Sequence, residues 1–113
     1  MAADQNAFRF HKQEDGSRVT VSFPSGTALN ESNAESFFRD LSGLAAGREN
    51  PHLVLDLTDI NVLTSVILTK LLSLHKQYKG AGGQLSIRNA TPTVQMVFKV
   101  TKLDTVLDVQ KAG

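Results

Sequence analysis

The side chains able to do chemistry in this chain are few and scattered. His11, His52 and His75 share no metal-ligand spacing and have no cluster of carboxylates beside them, and the chain has no cysteine. His75 falls on the apolar stripe of a helix and reads as a hydrogen-bonded core residue. Asp56, the one acid in the run His52–Leu57, reads as a strand-end carboxylate that bonds the loop after it. Ser65 lacks the neighbouring base and orienting group that would make a serine a nucleophile. The glycines of Gly80-Ala81-Gly82-Gly83 follow a helix and precede a strand, whereas a phosphate cradle needs them between a strand and a helix. They read as a helix-ending turn. No catalytic residue, metal site or cofactor is expected.

The junction Asp59 to Leu68 is different, because it leads from a buried strand straight into the most apolar helix. Thr64 and Ser65 stand at the helix start, where a hydroxyl can accept backbone N–H bonds worth about 1 kcal/mol. A hydroxyl in that place can also accept a phosphoryl group. Phosphate would bring a charge of about −1.5 to −2, which the helix dipole tolerates at this end by about 0.3–1 kcal/mol. A partner that buried the same spot would not tolerate it. Loss of about 2.8 kcal/mol already weakens a complex a hundredfold. Modification here could therefore switch binding without unfolding the protein.

Those residues need a frame. With 113 residues, one domain spanning 1–113 is expected. Twelve basic residues against eleven acidic ones leave a net charge of +1, so no strong field selects nucleic acid or anionic lipid. Aromatic residues are 6% with no Trp, too few for base-stacking platforms. Lys70, Lys76, Lys79, Lys99 and Lys102 are interspersed with Thr, Ser and Gln and read as a solvated face. No direct nucleic-acid binding is expected. The start MAADQNAFRF lacks a basic, apolar secretion signal, and no apolar stretch approaches the roughly 20 residues that cross a bilayer. A cytoplasmic location without membrane insertion follows as the expectation, and the sequons Asn30-Glu31-Ser32 and Asn89-Ala90-Thr91 are read as chance.

Periodicity supplies the elements. Ala7–Gln13 and Arg18–Phe23 read as an antiparallel hairpin around Asp15-Gly16, closed by Pro24-Ser25-Gly26. Ser32 and Glu35 have capping-box spacing ahead of a helix with Ala34, Phe37, Phe38, Leu41, Leu44 and Ala45 inward, stopping at Gly47. His52–Leu57 is a nearly continuous apolar run, as in a strand covered on both faces. Ser65–Lys79 is the second helix, burying Ile67, Leu68, Leu71, Leu72, Leu74, His75 and Tyr78 and turning Val66, Thr69, Lys70, Ser73, Lys76 and Gln77 outward. Gln84–Arg88 is a strand, Thr91-Pro92 opens a third helix with Val94, Val97, Phe98 and Thr101 inward, and Thr105–Val109 closes as a strand. The order β-β-α-β-α-β-α-β predicts an α/β fold with a mixed sheet of four to five strands packed against helices.

From His52 onward, the segments LVLDLTDINVLTS, LTKLLSLHKQYKGAGGQLSIRNATPTVQMVF and VTKLDTVLDV resemble the STAS family of sulfate transporters and anti-sigma factor antagonists. Relatives read as an apolar strand ending Asp-Leu, a loop, an Asp-Ser-Ser/Thr-Gly-Leu motif on a helix, and a Gly-Gly turn. A strand, a Ser/Thr-Pro helix start and a Thr-Gly-Leu-Asp segment follow. Gly26-Thr27-Ala28-Leu29-Asn30 is similar to the family's Gly-x-Leu-Asp stretch, one residue longer. In the motif, Thr64 stands at the Asp, Ser65 at the first Ser, Val66 at the second hydroxyl and Ile67 at the Gly; Asn30 replaces the earlier acid.

The resemblance implies a non-enzymatic protein-interaction module, like an antagonist that binds a kinase-like anti-sigma factor through Asn30, Thr64, Ser65, Val66, Thr69 and Lys70. The second hydroxyl of the motif is the one phosphorylated in anti-sigma antagonists, and Val66 has none. Either Ser65 or Thr64 is the phosphoacceptor, or the module binds without a switch, with Val66 as an exposed apolar contact. The family also implies an alternative, a scaffold or transporter-associated subunit of a stressosome-like or lipid-transport complex.

Overall fold

The computed structural model describes residues 10–24 and 27–111. A hairpin opens it: β1 (His11–Asp15) pairs antiparallel with β2 (Arg18–Ser22) across a turn in which Gly16 takes φ +64. The first strand therefore lies later than the Ala7–Gln13 expected, and residues 7–9 are outside the described residues, as are Ser25 and Gly26 of the expected stop. Next come α1 (Ala34–Gly43), β3 (His52–Asp56), α2 (Ser65–Gly80), β4 (Gln84–Ala90), α3 (Pro92–Val100), a 3-10 turn at Leu103–Thr105, and β5 (Asp108–Lys111). The last strand also starts three residues late, because Thr105 is drawn into that turn. The α/β class, mixed sheet and element order stand as expected.

The sheet runs β1-β2-β3-β4-β5, with β2 to β5 parallel. Parallel crossovers are right-handed, and here each one steps to the next position in the same direction. All three helices consequently lie on one face of the sheet. Their inward residues join Val19, Val21, Leu53, Leu55, Leu85 and Ile87 in one cluster. The other face is open and carries Thr20, Ser22, His52, Asp56, Ser86 and Arg88. This corrects the expectation that β3 is covered on both faces: Val54 is buried, at 1% exposure, yet stands outside the helix-side cluster.

Alternation in β2 and β4 thus marks one apolar and one polar face. Tyr78 of α2 is buried with its hydroxyl donating to the Leu41 carbonyl at 2.6 Å, which ties α2 to α1. That burial pushes the phenol up to about 12. The turn after α2 needs its glycines: Gly82 takes φ +83, and a β-carbon on Gly83 would stand 1.7 Å from the Pro51 carbonyl oxygen. The turn lets β4 start beside β3.

Candidate functional site: the corner at the start of the second helix

Two loops at the carboxyl ends of β2 and β3 meet and hold the start of α2. Leu29 and Leu63 form an isolated parallel bridge, with Leu29 N–H donating to Val62 O and Thr64 N–H to Leu29 O, each at 3.2 Å. Ile60 is fully buried. The Thr91 hydroxyl donates to its carbonyl at 2.9 Å, tying this loop also to the start of α3. Asp56 behaves as the sequence suggested. Its Oδ1 accepts from Thr58 N–H at 3.0 Å, the Thr58 hydroxyl at 2.6 Å and Asn89 Nδ2 at 3.2 Å. Burial works against its charge, but the bonds from Thr58 and Asn89 and the nearby Arg88 charge outweigh it and hold the carboxyl below its usual range. Asp56 is thus a loop anchor.

On this frame, α2 starts at Ser65 with Thr64 as its N-cap residue in extended conformation. The expected cap bond is absent. Thr64 Oγ1 is buried and has no hydrogen-bond partner among the described residues. Ser65 is exposed, as is Thr69, whose hydroxyl donates back to Ser65 O at 3.1 Å. Val66 is half-buried and packs on the core cluster, which corrects its expected place on the outward face. The cause is the broad apolar stripe of α2, whose edge lies one position from Ile67.

Lys70 is likewise half-buried. Its Nζ lies 3.4 Å from Glu35 Oε2 and 5.3 Å from the Phe38 ring centroid. That pair uses the Glu35 that had been expected in a capping box. No such box forms, because the N-cap position of α1 is Asn33, and Ser32 sits in the turn before it. Asn30 holds this turn: its Oδ1 accepts from Ser32 N–H at 2.9 Å, and its own N–H donates to Asn33 Oδ1 at 3.0 Å. Asn33 Nδ2 in turn donates to Ala28 O at 2.8 Å. Asn30 thus carries a neutral side chain occupied by its own loop.

The structure therefore brings Asn30, Thr64, Ser65, Val66, Thr69 and Lys70 to one corner, and of these only Ser65 and Thr69 are exposed. Sequence reasoning missed Val62, which is 47% exposed beside Ser65's turn. Ile60, Val62 and Leu63 are all apolar and lie in a loop without periodicity, so nothing in the sequence said which one faces out. His75 is half-buried with Nδ1 lacking a partner among the described residues, which corrects the expectation of a hydrogen-bonded core histidine. Among the described residues no group of three or more His, Asp or Glu is placed to hold a metal ion, and no helix is long and apolar enough to cross a membrane.

Comparison with known proteins agrees with this geometry. The family model for the STAS domain matches residues 13–112. A STAS-domain anti-sigma-factor antagonist protein from Planctomyces limnophilus superposes with a TM-score of 0.81 at 19% identity, covering 92% of this chain and 91% of that one. A putative anti-sigma factor antagonist from Thermotoga maritima gives 0.76 at 21% identity, over 90% and 86%. The Bacillus cell-fate determinant SpoIIAA, in its phosphorylated form, gives 0.66 at 13% identity, over 89% and 90%. At these identities the likeness is one of fold. No curated protein matches the chain in sequence.

Proposed function

The chain belongs to the STAS domain family, and from that premise we propose that it is a non-enzymatic binding module of the anti-sigma antagonist kind, docking a kinase-like anti-sigma factor. The single observation that carries this reading is the corner itself. Its loops are cross-braced by the Leu29–Leu63 bridge, and Ser65, Thr69 and Val62 stand outward on the brace. A rigid surface costs little ordering when a partner covers it. At this corner no base among the described residues stands beside the Ser65 hydroxyl, and binding is the chemistry we infer for it.

Regulation of that binding centres on Ser65. Val66 has no hydroxyl, and Thr64 Oγ1 is buried, so neither presents an acceptor to a kinase. Ser65 is exposed in the first turn of α2, where a phosphate's charge meets the positive end of the helix. The domain therefore stays folded when modified, while a partner seated on the corner is displaced.

Capture from the native cell followed by binding of the purified pair tests the reading. An anti-sigma kinase that binds the wild-type chain, and binds Ser65→Glu at least about a hundredfold more weakly, is the expected result. Transporter or stressosome subunits as the only binders would favour the family's alternative role. Fragment-mass analysis of the digested chain after incubation with the kinase and ATP should place any phosphate on Ser65, and a phosphate on another residue would refute this assignment.

A further inference from the structure

We propose that the chain associates with a second copy of itself along the outer edge of β1, in one antiparallel register centred on Gln13. β1 ends the sheet, and among the described residues only β2 pairs with it. All five of its residues are exposed. An edge like this presents unpaired backbone N–H and C=O groups to any strand that fits.

Scattered charges on an edge strand normally repel such pairing. Here they are ordered along the strand. His11 and Lys12 are the basic end, Gln13 is neutral, and Glu14, which Arg48 also pairs from within the chain, and Asp15 are the acidic end. Antiparallel pairing about a twofold axis at Gln13 sets Lys12 opposite the second copy's Glu14, and His11, a donor, opposite its Asp15. Cross-strand opposite charges attract and like charges repel. Moving the centre by one residue sets Lys12 against Lys12 or Glu14 against Glu14, and parallel in-register pairing sets every charge against its like. The order of residues thus selects a single register.

The two faces of the strand are consistent with that register. Lys12 and Glu14 pair with Val21 and Val19 of β2 and so lie on the helix side, 3.0 Å apart. His11, Gln13 and Asp15 pair with Ser22, Thr20 and Arg18 and lie on the open side. Each complementary pair across the seam therefore falls on the same face in both copies. The contact is isologous and closes on itself, and it would make one continuous sheet. It involves no residue of α2, so it stands or falls independently of the partner-binding reading.

The chain has no cysteine, so single cysteines can report the register. Directly opposed residues have Cα atoms about 4.5–5.5 Å apart, inside the roughly 4.4–6.8 Å that a disulfide spans. Under mild oxidation Gln13→Cys should yield a covalent dimer and Lys12→Cys should not. In sedimentation experiments, Lys12→Glu alone and Glu14→Lys alone should each self-associate at least about tenfold more weakly than wild type. An equimolar mixture of the two should regain association, since opposite charges again face each other, and that recovery also shows both variants folded. A wild-type chain that stays monomeric at millimolar concentration would overturn the proposal. So would a dimer indifferent to these substitutions, or one in which Lys12→Cys cross-links as fast as Gln13→Cys.

Discussion

At the scale of single residues, Thr64 and Lys102 are among the positions that depart from what local chemistry prefers. Thr64 is an N-cap residue whose hydroxyl makes no bond among the described residues although it is buried. A buried hydroxyl without a partner costs about 1–3 kcal/mol relative to one that is satisfied. Thr64→Val keeps the shape and removes that burden, so it should leave stability unchanged or raise it by up to about 1 kcal/mol in urea denaturation. Lys102 is the second case. It holds φ +62 between two turns, with its N–H on Lys99 O and its carbonyl accepting from Thr105 N–H. A side chain in that region costs about 1–2 kcal/mol, and glycine's extra freedom in the unfolded chain costs about 0.5–1 kcal/mol. Lys102→Gly should therefore stabilise by a few tenths to about 1 kcal/mol, seen as a raised thermal midpoint.

At the scale of elements, the open faces of β3, β4 and β5 are joined by a hydrogen-bond row. The Ser86 hydroxyl donates to Asp108 Oδ2 at 3.1 Å, so His52 Nε2, 2.9 Å from Ser86 Oγ, must present its N–H to that oxygen. Gln84 Nε2 adds a third contact at 3.2 Å. Burial depresses His52 below its usual value, as do the charges of Arg18 and Arg88, against the opposing pull of Asp108. The folded state thus favours the neutral ring. The stability this brings is complete above the unfolded value of 6.5 and is lost as the pH falls through the lower folded value. Asp56 acts in the same direction below 3.8. Chemical denaturation between pH 7 and 5 should show stability falling with pH, and His52→Gln, which keeps a donor toward Ser86, should flatten that slope. A slope identical in the variant would exclude His52 as its source.

At the scale of the molecule, sequential crossovers in one direction place every helix on one side, and this governs where protection from solvent is greatest. β3 and β4 are flanked by strands on both sides and backed by α1 and α2, whereas β1 is an edge with all residues exposed. Amide hydrogen exchange should be slowest at Leu53–Leu55 and Leu85–Ile87 and fastest in β1. If the copies pair as proposed, β1 alone should become slower as the protein concentration rises. Much of this arrangement was legible. Alternation in Arg18–Phe23 and Gln84–Arg88, and the helical stripe of Ile67, Leu71, Leu74 and Tyr78, are imposed by side-chain direction in strands and helices. The bareness of one sheet face was not legible in His52–Leu57, because Val54 is buried by its neighbours within the sheet face and so mimics a strand covered twice.

The sequence by itself determined the element order, the mixed sheet, the helix start at Ser65 and the identity of the loop anchor Asp56, because each follows from local periodicity or from short-range bonding. Tertiary structure alone decided which hydroxyl of the pair at 64 and 65 faces water, that Val66 leans into the core, and that Val62 points out. Those outcomes depend on how two loops distant in sequence are cross-braced at Leu29 and Leu63, and a contact between segments 34 residues apart leaves no periodic trace in either.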